Sequence, residues 1–281
     1  MATRHAPAAV LQAARSIGLL ESDAARAAAA LRLFSTEADM ARIVGAIHLE
    51  PGLTARVLRV ANSAYYGQRG GVASVNRAVS VLGLNVVRAI AATGCFDHAI
   101  SRRLAGACTD WAKVKRHSLS TAILAEHFAA ERCSGLRELA FTAGLIHDLG
   151  IVIEGLLDPS ALEARVESLP PANDASSLNA LHAHASYAAI VAQHWDFPSQ
   201  LVAAIEHHHD DMDSSASSPS LSALLRSATD TAVRLGYGHD LEAPPIGSAR
   251  GDDLGMTRER LDSLADLVQQ RIAGIAGDGD G

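Results

Sequence analysis

Nine of the thirteen histidines in this 281-residue chain fall between His117 and His209, and several stand beside acids in stretches with helical periodicity. Neutral imidazole offers a nitrogen ligand and aspartate a charged oxygen, so the mixture suits a transition-metal site. Its sharpest element is Gly144-Leu145-Ile146-His147-Asp148-Leu149-Gly150. There an adjacent His-Asp pair interrupts an apolar run, where an ionised carboxylate is costly to bury unless it is paired or ligates a metal. Two readings of the pair stay open: metal ligands, or a buried hydrogen-bonded structural pair.

The elements that must position these groups read as helices. Apolar residues make up 48% of the chain with only 4% aromatic, and much of the apolar share is Ala, the best helix former. The length suits two packed lobes. The expected fold is therefore an all-α, two-lobed helical bundle. A net charge of -7 with a pI near 6.0 argues against a nucleic-acid binder that neutralises phosphates. A small phosphorylated ligand stays admissible, because a metal can supply local positive charge. Cys95, Cys108 and Cys133 are too widely spaced for a ligand pair and read as free thiols of a reducing cytoplasm. No secretory h-region follows Arg4 and His5, and no run approaches the ~18 uninterrupted apolar residues of a membrane span. The expectation is a soluble cytoplasmic protein with no membrane and no nucleic-acid partner.

Residues 1–106 read as an N-terminal helical lobe. Its Ala-rich 22–34 stretch precedes a cap at Ser35 or Thr36 with Asp39 in the next first turn. Pro51 opens a helix that stops at Asn62-Ser63. Ala78 to Leu82 lead to Gly83 as a C-cap, and a further helix runs from Leu84 to about residue 101. Residues 107–240 read as the second lobe. Helices are expected at about 110–132, 136–157 with the His-Asp pair inside, 176–195, from Pro198 to His207-His208-His209, and 221–235. Loops are expected at 169–174, 210–219 and 243–255. Residues 241–281 hold a loop, one last helix and a Gly-Asp tail.

In order along the chain, these motifs resemble a known family. Leu53-Thr54 with Leu58-Arg59-Val60-Ala61-Asn62-Ser63-Ala64-Tyr65, then Ala78 to Gly83, resemble the amino-terminal signature of HDOD proteins, bacterial helical signalling modules related to the HD phosphohydrolases. Gly144 to Gly150, His184 with Trp195-Asp196-Phe197-Pro198, and Ile205 with His208-His209-Asp210 continue the pattern, over about residues 30–240. The resemblance implies an HD-domain-like second lobe. It implies as metal ligands His117, His147, Asp148, His184, His208, His209 and Asp230. The HD-GYP branch, which hydrolyses cyclic dinucleotides, carries a Lys where this chain has Ile151, and the GYP element is missing after His208-His209.

For that set, His147 and Asp148 would lie about 100° apart on a helix and share an ion only near the groove between them. An Asp can also bridge two ions roughly 3.5–4 Å apart. Such ligands suit Fe, Mn, Zn, Ni or Co better than Ca or Mg, so the expected cofactor is a divalent transition metal, one ion or a pair. Two ions would support phosphoester hydrolysis, with His147 and Asp148 as the catalytic centre. Glu206 and Asp210 are candidates to orient the ligating rings. The alternatives are plain ones. His184, His208 and His209 could line a polar cavity, and a solvated helix face would explain His117 or Asp230 alone. His127, His182, His194 and His207 read as surface or packing residues, and His5, His48, His98 and His239 carry no function. Asn62-Ser63 reads as a partner surface or, more simply, a helix-ending turn. The expected function is an HDOD-type regulatory module that binds signalling protein partners. The alternatives are a metal-dependent phosphohydrolase acting on a nucleotide or other phosphoester, and a helical adaptor that binds no metal.

Overall fold

The computed structural model describes residues 6–16, 40–48, 51–63, 66, 72–84, 86–87, 90, 104, 110–167, 175–194, 197–210, 220–239, 241 and 256–276. Among them are twelve α-helices and no strand. The first four are α1 (Pro7–Ser16), α2 (Met40–His48), α3 (Pro51–Ala61) and α4 (Val75–Leu82). Local chemistry sets the ends of α4. The Ser74 hydroxyl accepts the Arg77 N–H, and Gly83 stops the helix at φ 75, a left-handed value that glycine adopts without penalty. At the end of α3 the Asn62 carboxamide donates to the Leu58 and Val72 carbonyls, each 2.8 Å away, and accepts the Val72 N–H at 2.7 Å. The plain reading of Asn62, a turn closed by its own side chain, is the one observed.

The rest of the chain is organised by α5 (Trp111–Arg132). Asp110 caps it by accepting the amides of Ala112 and Lys113, a role suited to aspartate. Around α5 pack α6 (Arg137–Ile146), α11 (Leu221–Ala232) and α12 (Arg258–Ala276). Buried residues surround most of its circumference, among them Val114, Ala122, Leu124, Ala125 and Phe128. The face that could have been solvated is core, so His117 is fully buried.

The expected helix over 136–157 is divided. A 3-10 turn (Ser134–Leu136) leads into α6, the chain turns at His147-Asp148, and α7 (Leu149–Leu157) follows. His147 still donates its amide to Ala143, but Asp148 leaves helical geometry at φ -94, ψ 8. The stretch Ser134–Leu157 is apolar and long enough to cross a membrane by composition alone, yet 83% of its most apolar window is buried inside the fold. Next come α8 (Pro159–Glu167), which periodicity does not anticipate, α9 (Ala175–His194) and α10 (Ser199–Glu206). A π-helical turn, Val233–Tyr237, extends α11 and breaks at Gly236 with φ 84. The short α1 packs against α9 and α7, burying Val10, Ala13 and Ala14. The caps at Ser35 or Thr36, the 22–34 stretch, the three expected loops apart from Asp210, and Trp195 lie outside the described residues.

Candidate metal centre

Six of the seven ligands implied by resemblance converge. His117 comes from α5, His147 and Asp148 from the α6–α7 turn, His184 from α9, and His208 and His209 from the turn after α10. Their donor atoms form two groups. His117, His147 and Asp148 make one, and His184, His208 and His209 the other, with all ligand atoms of a group within 4.8 Å of one another. Asp148 touches both. Its Oδ2 lies 3.2 Å from His147 Nε2 and 3.6 Å from His117 Nε2, while Oδ1 lies 3.3 Å from His184 Nε2. His184 Nε2 is in turn 3.1 Å from His209 Nε2. Asp230, the seventh, is half-buried on α11 and belongs to neither group.

Backbone carbonyls fix the state of the rings. His147 Nδ1 donates to Gly144 at 2.8 Å, His117 Nδ1 to Tyr237 at 3.1 Å, and His208 Nδ1 to Ile205 at 2.6 Å. A neutral ring that gives its Nδ1 proton to a carbonyl keeps its lone pair on Nε2. All three lone pairs therefore belong to the interior of the cluster. His117 and His147 Nε2 face each other at 3.3 Å, two acceptors with no proton between them. His208 Nε2 and His184 Nδ1 are buried without a hydrogen-bond partner. Orphaned acceptors around one carboxylate are costly in a protein interior and are resolved by a cation. Two nitrogens about 2.0–2.1 Å from one tetrahedral ion stand roughly 3.3 Å apart, so the His117–His147 spacing fits. The donor set fits a divalent transition metal.

Burial pushes the imidazoles of His117, His147 and His208 below the ordinary 6.5, against the partial opposition of the Asp148 charge. His209 shifts the same way. For Asp148, burial acts to raise the carboxyl, but the His147 charge and hydrogen bonds from His184 and His239 together hold it well below the usual range. These shifts give one sign of pH dependence. The unfolded chain takes up protons below pH 6.5 that the folded site refuses, so stability present above that value is lost as pH falls. Each ring contributes up to about 1.4 kcal/mol per pH unit. The Asp148 contribution is present above its ordinary 3.8 and disappears at still lower pH. Urea midpoints of the metal-free protein are expected to drop between about pH 7.5 and 5.5; a flat profile would contradict neutral rings.

Two glycines make the convergence possible. A Cβ on Gly144 would sit 2.6 Å from the backbone Cα and N of Ala122 on α5. One on Gly150 would sit 1.8 Å from the carbonyl oxygen of His184 on α9. The motif Gly-Leu-Ile-His-Asp-Leu-Gly therefore places a bare backbone on either side of the pair. That lets the helices carrying His117 and His184 approach Asp148.

The orienting role expected of Glu206 and Asp210 is not observed. Glu206 is exposed, and Asp210 pairs at 2.7 Å with the exposed ring of His207. Carbonyls do that work instead. His127 pairs with Glu131 on the α5 surface and His194 is exposed, as anticipated; the His182 side chain lies outside the described residues. One participant is missed by sequence reasoning. His239 is buried, and its Nε2 is 3.0 Å from Asp148 Oδ2. It lies past Gly236 and Gly238 in a non-helical stretch, where no spacing rule links it to the other rings. The available signal was a histidine directly after a glycine-rich helix exit.

Comparison with known proteins agrees with this fold. No match is found among curated proteins. The fold is similar to that of a candidate signal transduction protein from Marinobacter aquaeolei VT8, with TM-score 0.64 and 23% identity over 98% of this chain; the chain spans 66% of that protein. It is also similar to a candidate metal-dependent phosphohydrolase from Shewanella amazonensis SB2B (TM-score 0.56, 19% identity, 95% of this chain and 99% of that one). A third similar structure is an HDOD domain protein of unknown function from Geobacter sulfurreducens (TM-score 0.59, 19% identity, 96% and 95%). The HDOD domain model matches residues 26–211, from α2 to the end of the His208-His209 turn. The chain belongs to the HDOD domain family.

Proposed function

We propose that this protein is an HDOD-type regulatory module that acts mainly by binding signalling protein partners in the cytoplasm and carries a His/Asp centre for divalent transition-metal ions. One observation carries the metal reading: the two oxygens of Asp148 each meet a different set of histidines, with the lone pairs of three rings directed inward by backbone carbonyls. His117, His147 and Asp148 would hold one ion. His184, His208, His209 and the other oxygen of Asp148 would hold a second, and Asp230, on a helix packed beside α5, is the further oxygen donor implied by the family. Regulation rather than turnover is supported by Ile151, fully buried in α7, at the position where the resemblance to the HD-GYP branch implies a lysine.

Hydrolysis of a nucleotide or other phosphoester is the second reading, favoured by the completeness of the donor set and by the half-buried His209. Bound ions would supply Lewis acidity toward a phosphoryl oxygen. Metal analysis of untagged protein decides the first point: about two ions per chain are expected, and less than one overturns the centre. A phosphoester panel on wild type and Asp148→Ala decides the second. Turnover lost with Asp148 would replace the regulatory reading with the enzymatic one.

The two groups should load unequally. In the first, carbonyls hold both histidines; in the second, they hold His208, while His184 Nδ1 has no partner. Such orienting bonds are worth about 10–100-fold in affinity. A cobalt titration is expected to show two steps separated by roughly that factor, and indistinguishable steps would contradict it.

A further inference from the structure

His239 differs from His117, His147 and His208 in the direction of its hydrogen bonds. The Leu241 N–H points at His239 Nδ1 at 3.3 Å. A nitrogen that accepts a backbone amide carries the lone pair, so the proton of the neutral ring resides on Nε2. That Nε2–H lies 3.0 Å from Asp148 Oδ2 and donates to it. The rings of His117, His147 and His208 have the opposite arrangement, with Nδ1 as donor and Nε2 free. His239 therefore presents a proton where they present a lone pair. It is buried, 4.9 Å from the His117 ring and edge-on to it.

We propose that His239 is a positioning residue of the metal centre: a fixed Nε2–H donor that orients the Asp148 carboxylate and is kept out of the ligand set by the Leu241 amide. A carboxylate rotates freely about its last bond unless something holds one oxygen. With Oδ2 held by His239, that oxygen stays on the His117–His147 side and Oδ1 stays on the His184 side. The same strap of chain supplies the Tyr237 carbonyl that fixes the His117 ring. Residues 237–241 thus support two of the three members of the first group from outside. This strap lies beyond the segment 26–211 matched by the family model.

The inference rests on the metal reading above, and its test separates the two. Untagged wild type, His239→Leu and His239→Gln are titrated with cobalt(II), following the d–d absorption bands, with circular dichroism as the check on folding. Glutamine retains an N–H donor at the end of a side chain of similar reach; leucine does not. For His239→Leu, affinity at the tighter site is expected to fall about 10–100-fold with shifted bands, and His239→Gln should recover most of both. Wild-type behaviour of His239→Leu, or failure of a folded His239→Gln to recover, overturns the positioning role while leaving the metal centre intact. Absence of cobalt binding by wild type overturns both. If His239→Leu does not fold, long-range proton–nitrogen NMR of zinc-loaded wild type decides. A His239 ring protonated at Nε2 with and without zinc supports the proposal, whereas a metal-induced shift at that nitrogen makes His239 a ligand and ends it.

Discussion

Asp148→Ala protein is expected to fold and to bind no transition metal at either group of histidines. Among the described residues Asp148 is the one anion in the two groups, and its two oxygens meet histidines of both. Without it, neutral imidazoles alone would have to hold dipositive ions in a buried site, with no charge to offset the lost hydration. The fold itself should tolerate the change. Removing the carboxylate abolishes the expense of burying an anion and leaves the His184 and His239 donors unsatisfied, each worth about 1–3 kcal/mol. Metal content by mass spectrometry and a urea melt on the same preparation test both halves. Retained metal at either group would show that Asp148 is not the bridge.

Gly150→Ala is expected to have the largest effect on stability of any single methyl addition considered. In an ordinary helix the change stabilises by up to about 1 kcal/mol, because alanine is the better helix former. Here the new Cβ falls 1.8 Å from the His184 carbonyl oxygen and 2.6 Å from its carbon. Both are backbone atoms that cannot rotate away. α7 and α9 must separate, at a cost of about 3 kcal/mol or more, and His184 retreats from Asp148 with its helix. Gly155→Ala is the control on the same helix. Its Cβ would meet only the side chains of Leu162 and Leu104, at 3.0 and 3.3 Å, which can adjust. Denaturation midpoints should fall sharply for the first variant and little for the second; equal midpoints would mean that the close crossing is not essential.

Local signals in the sequence were read well, and contacts made at a distance were not. The long helix from about residue 110, the Gly83 stop and the Asn62 turn depend on neighbours within a few residues, and each appears as expected. Six of the seven residues that the resemblance names come together in space, because their order along the chain survives even though four different segments supply them. The interruption at His147-Asp148 was not legible. An apolar period continues through the pair, and only the approach of α5 and α9 on either side requires the chain to turn there. For the same reason the role of Gly144 and Gly150, which is to leave room for α5 and α9, is not visible in the sequence. His239 escaped because its partner stands 91 residues earlier and no periodic element connects them. Asp210 misled in the opposite sense: proximity in sequence suggested an orienting acid, but its carboxylate turns outward to His207.

The placement of α1 bears on the order in which the molecule assembles. This ten-residue helix is too short to persist alone in water, and its apolar face is covered by α9 and α7. It is made before α7 and α9, and its docking surface is complete only after residue 194 has been made. Until then Val10, Ala13 and Ala14 stay wet. Ordering of the N-terminal segment should thus be a late kinetic event, and amide-protection labelling during refolding would see it close after α5 and α6 have paired.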